Sequence, residues 1–82
     1  MKRTPKHPPD DDPAAALDAK LSERPGLAAD LARATGLTES SVSRWRHGQS
    51  LPSRLAAVVI ERRHGVDRRA WDRLRADRRA AA

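Results

Sequence analysis

Apolar residues recur along this chain at helical intervals, in short blocks separated by glycine, proline and capping residues. Asp12 followed by Pro13 reads as a helix start, because an aspartate accepts from the free first-turn amides and proline fits the first helical position. The helix that follows carries Leu17 and Leu21 on one face. After Pro25-Gly26, Leu27, Leu31 and Ala32 recur at helical spacing up to Thr35, where Gly36 stops the second helix. Thr38 caps a third helix, Glu39 to His47, with Leu37 and Val42 placed as a hydrophobic staple across its start, and Gly48 ends it. Ser53 caps a fourth that runs to His64 and stops at the left-handed terminator Gly65. Asp67 caps a fifth, in which Val66 and Trp71 again form a staple and Leu74 continues the face of Trp71. No stretch reads as a strand or an internal repeat, so the pattern predicts an all-α protein, a compact five-helix bundle.

One block breaks the amphipathic rule. Leu55-Ala56-Ala57-Val58-Val59-Ile60 is apolar throughout and covers more than the single stripe a surface helix buries. With Leu55, Val58 and Val59 inward, Ala56 and Ile60 lie around the axis and join a dimer contact with Leu74 of the fifth helix. The pattern alone permits the two sides to be exchanged, and also complete burial within one chain.

Length and charge sharpen this outline. Eighty-two residues allow one small domain with a thin core, and without cysteine neither a disulfide framework nor a thiolate metal site reinforces it. Residues 1–12, with their prolines, the basic Lys2, Arg3 and Lys6 and the acidic run Asp10-Asp11-Asp12, read as a flexible tail. The domain is expected over residues 13–75 and a basic, Ala-rich end over 76–82. The net charge is +6, and Arg62 to Ala82 alone holds eight arginines against three aspartates, leaving only +1 for the rest. Such a balance suits a polyanionic partner, and arginine suits forked phosphate contacts, although an Ala- and Arg-rich composition also reflects a GC-rich genome. No signal-type or membrane-spanning apolar stretch is seen, so a cytoplasmic protein is expected.

The second and third helices carry the most specific pattern. Ala32 stands four residues before Gly36, Val42 six beyond it and Trp45 three further on. Helices crossing steeply at Ala32 would be wedged apart by a larger side chain, Gly36 supplies the permissive turn, and Leu31, Leu37, Val42 and Trp45 fill the angle. Glu39, Ser40, Ser43, Arg44 and His47 are then left on the outward face, where short polar and forked basic side chains suit base edges.

The stretch LAADLARATGLTESSVSRWRHGQSLPS resembles the helix-turn-helix of the Cro and lambda-repressor-like family, also called XRE-like, and IERRHGVDRRAW is similar to the Trp-bearing segment of its small phage-type members. The resemblance covers about residues 14–74. It implies a lambda-repressor-like bundle that binds operator DNA as a homodimer, most often as a transcriptional repressor. Carried over by position, it places base reading on Glu39, Ser40 and Arg44, then Ser43 and His47. Arg44 fits the O6 and N7 of guanine, and Glu39 a cytosine amino group. Phosphate contacts are expected from Leu27 and Ala28 through their backbone amides, from Thr38 and Arg46, and from Arg75, Arg78 and Arg79. Many relatives have a polar side chain where this chain has Ala28, so one phosphate clamp is missing.

Other chemistries find little support. His7, His47 and His64 lack ligand-like spacing, the serines lack a base and an orienting group, and no phosphate-binding glycine loop is present, so no metal, cofactor or enzymatic activity is expected. Two alternatives to a regulator of double-stranded DNA are a protein-interaction module on the same fold, such as an anti-repressor, antitoxin or polymerase inhibitor, and an architectural nucleic-acid binder.

Overall fold

A computed structural model describes residues 12–81, which form five helices: α1 (Pro13–Leu21), α2 (Leu27–Thr35), α3 (Glu39–Arg46), α4 (Arg54–His64) and α5 (Arg68–Ala81). The expected flexible tail lies outside the described residues except for Asp12. No strand occurs among the described residues, and no helix there is long and apolar enough to cross a membrane.

Local chemistry sets the helix boundaries. Asp12 accepts from the Ala15 amide, Thr38 from Ser41 and Ser53 from Ala56, each meeting one of the orphan first-turn donors. Asp67 starts α5 by accepting from the Arg69 amide at 2.9 Å. That bond, followed by the nearby Arg69 charge, holds the Asp67 carboxyl below its ordinary pKa. At the end of α2, Leu37 N–H donates to the Ala32 carbonyl at 2.9 Å and Gly36 N–H to Arg33 at 3.2 Å, with Gly36 at φ 73°. This paired closure is a Schellman motif, and it recurs after α3, where Gln49 N–H reaches Arg44 at 2.8 Å and Gly48 N–H reaches Trp45 at 3.2 Å.

Leu17, Leu31, Val42, Ile60 and Trp71 are fully buried and form the centre of the core, with Leu21, Leu27, Ala32, Trp45, Ala56, Ala57 and Val66 around them. α3 packs on α1 and α2, and α4 on α1, α2 and α5. Two expectations are corrected. α4 presents Ala56, Ala57 and Ile60 to the core and turns Leu55 out, 81% exposed, because Ile60 closes over the centre while Leu55 lies at the open start of the helix. Ile60 is therefore a core residue and not a dimer contact, Ala56 is buried beside it with 4% exposure, and Leu74, half-buried, packs against the same core. Leu37, expected inside the α2–α3 angle, is 46% exposed, since the Schellman turn carries it past the edge of the core.

α5 does not stop at residue 75. It continues to Ala81 as a single helix, and its arginines reach back across the molecule. Arg75 donates to the Pro52 carbonyl and, at 3.0 Å, to Asp72, while Arg78 donates to the Gly48 carbonyl at 2.9 Å. Along the same helix Arg68 lies 3.9 Å from Glu61 on α4, and Asp72 is taken by Arg75.

Candidate nucleic-acid interface

α3 divides cleanly into an inner and an outer face. Val42 is 0% and Trp45 4% exposed, and they fix the rotation of the helix against α1 and α2. Glu39, Ser40, Ser43 and Arg44 are all exposed, as is the capping residue His47. Ser43 and Arg44 lie three and four residues beyond Ser40, and His47 lies four and three beyond them, so the four form a continuous outward ridge. Glu39 opens it at the N-terminal end.

The chemistry of that ridge is donor-rich at one end. The Arg44 side chain has no hydrogen-bond or ion-pair partner among the described residues, so its guanidinium fork is available to a ligand. His47 places Nδ1 2.8 Å from the Ser43 carbonyl oxygen and 3.4 Å from Ser43 Oγ. A carbonyl only accepts, so Nδ1 is the donor in this contact and Nε2 is the ring nitrogen left for a ligand. The hydroxyl of Thr38 accepts from the Ser41 amide at 3.2 Å and lies 3.3 Å from Ser41 Oγ, which commits it chiefly to capping.

The residues expected on phosphate divide into three groups. Leu27 and Ala28 open α2 behind Gly26, which adopts φ 90° and supplies no side-chain cap, so the first-turn amides have no side-chain acceptor. Arg46, Arg75 and Arg78 are engaged within the protein. Arg46 Nε donates to Asp18 at 2.6 Å, and its outer nitrogen donates to Ser22 Oγ at 3.0 Å and to the Asp18 carbonyl at 3.4 Å. Its side chain is only 21% exposed, and through these bonds it ties α3 to α1. Arg75 and Arg78 likewise hold the segment between α3 and α4, through the carbonyls of Pro52 and Gly48. Arg79 is exposed and unpaired among the described residues.

No family model, curated protein or solved structure matches this chain. The interface therefore rests on its own geometry. That geometry adds residues which the sequence pattern did not single out. Asp18 and Ser22 orient α3 through Arg46, and they lie 28 and 24 residues from it, so no local spacing marks them. Among the described residues no three histidine, aspartate or glutamate side chains gather as a metal site.

Proposed function

We propose that this protein is a sequence-specific DNA-binding regulator, a small member of the Cro and lambda-repressor-like type, which uses α2 and α3 as a helix-turn-helix and acts by covering a promoter. The observation that carries the reading is the division of α3: Val42 and Trp45 are buried while Glu39, Ser40, Ser43, Arg44 and His47 stand exposed along one ridge. A helix held rigidly by one face and presenting short polar groups and a free arginine on the other fits the major groove, where bases differ in their donor and acceptor edges.

The roles follow from the side chains. Arg44 bridges guanine O6 and N7, Glu39 accepts from a cytosine amino group, and Ser40, Ser43 and His47 Nε2 add shorter contacts. The open first turn of α2 accepts a backbone phosphate through the amides near Leu27 and Ala28, and Arg79 adds a sequence-independent contact. One helix of this length covers only a few base pairs, so two copies on an inverted repeat with half-sites centred ~34 Å apart supply the specificity a repressor needs.

The test is a selection of bound sequences from random duplex DNA using the full chain. The proposal predicts one enriched, inverted-repeat motif. Binding without a motif points to an architectural protein, and absence of binding to a protein-interaction module; either result refutes the regulator.

A further inference from the structure

Among the described residues two large hydrophobic side chains stand exposed, Leu37 at 46% and Leu55 at 81%, and both line one groove of about 570 Å³ between the end of α2 and the start of α4. Ala34, Val58 and Val59 form much of its wall, and Arg62 is its single charged lining residue. Two other concavities on the molecule are different in kind. One is bordered by Arg54, Arg68 and Asp72, the other by Glu23, Arg24, Asp30, Arg63 and His64.

We infer that this groove is the contact between two copies of the chain, with Leu55 of each copy entering the groove of the other beside Leu37. The inference rests on the dimeric reading above and gives it a surface. Shape is the first argument. A two-fold contact requires that residue i meet j while j meets i, and this face carries both the projection, Leu55, and the recess that receives it. Charge is the second. Each chain carries +6, so two copies repel wherever their arginine-rich surfaces approach. Repulsion is least across a face with one lining cation, and that near-neutrality also gives an acidic partner little to recognise. Area is the third. Nine residues line the groove, fewer than the ~20 to 30 per side of a standard interface, so the contact is a weak dimer that adjacent half-sites on DNA reinforce.

Sedimentation of the full chain without DNA, at rising protein concentration and at two salt concentrations, tests this. The wild type is expected to pass from monomer to dimer in the micromolar range and to associate more strongly at higher salt, which screens the repulsion. DNA binding responds to salt in the opposite direction. Leu55→Glu should weaken association at least tenfold while leaving the circular dichroism spectrum unchanged, because that side chain stands in solvent. The chain has no cysteine, so a mixture of Leu37→Cys and Leu55→Cys proteins should form an intermolecular disulfide faster than either alone. A wild type that stays monomeric through several hundred micromolar, or a Leu55→Glu protein that associates normally, overturns the inference. So does capture of an acidic amphipathic peptide by a monomeric wild type. A selected DNA site bound as a dimer despite Leu55→Glu removes this contact alone. A Leu55-dependent dimer that selects no DNA removes only the DNA-binding reading.

Discussion

Replacing Arg46 by alanine separates two roles that a basic residue on α3 can have, fastening the helix or touching a phosphate. Its guanidinium makes a 2.6 Å bond to Asp18 and a 3.0 Å bond to Ser22 Oγ, with the Arg46 side chain 21% and that of Asp18 46% exposed. A hydrogen bond to a charged group contributes ~1.5 to 3 kcal/mol when covered, whereas a solvated ion pair contributes ~0.2 to 1 kcal/mol. Because Asp18 is nearly half open to water, the pair belongs between these limits, and Arg46→Ala should cost about 1 to 2 kcal/mol. In a domain of this size that lowers the thermal midpoint by roughly 5 to 15 °C. Thermal and urea unfolding followed by circular dichroism measure the loss. A double-mutant cycle with Asp18→Ala should return a coupling of at least ~0.5 kcal/mol. The same variant, titrated with DNA at several salt concentrations, should keep the wild-type slope of log affinity against log salt, because a phosphate contact would remove ~0.9 from it. Wild-type stability combined with a shallower slope would refute the reasoning and return Arg46 to the phosphate backbone.

Gly36→Ala should cost about 1 to 2 kcal/mol, because the residue sits at φ 73° and an added Cβ meets nothing within 4 Å, leaving backbone strain as the whole penalty; a neutral urea midpoint would contradict it. Burial, followed by the Arg63 charge, lowers the pKa of His64, so as pH falls below ~6.5 the unfolded chain takes up the proton first. Stability attributable to this group is therefore lost as pH falls from there through the folded pKa, and His64→Gln should flatten that decline in unfolding midpoints measured between pH 7.5 and 5.5. An identical pH slope in the variant would count against it. Alanine at both Arg75 and Arg78 should speed amide exchange in residues 48–52 while leaving the DNA salt slope unchanged, since both side chains bond to the carbonyls of Pro52 and Gly48. A slope reduced by ~1 or more would mean that they reach phosphates instead.

The helix boundaries were legible because capping is local chemistry. Asp12, Thr38, Ser53 and Asp67 accept from amides two or three residues on, and Gly36 and Gly65 supply left-handed stops, all within one turn of sequence. The outward ridge of α3 was legible for a related reason: Val42 and Trp45 sit three apart among polar residues, which fixes the rotation. α4 offered no such contrast. Six consecutive apolar residues carry no phase, so only packing decides that Ile60 turns in and Leu55 turns out. The arginines were hardest to read. Arg46 finds a carboxylate on α1, and Arg75 and Arg78 find backbone carbonyls 23 and 30 residues away, acceptors that every residue possesses and no side-chain pattern announces.

The claim that the ridge of α3 reads base edges is tested most directly by repeating the DNA selection with Arg44→Ala. Its side chain is exposed and unpaired among the described residues, so the fold should be unchanged by circular dichroism. One position in each half-site should lose its preference for guanine, a change of ~1 to 3 kcal/mol, while the preferences at the other positions persist. An Arg44→Ala protein that selects the wild-type motif at every position would contradict the account.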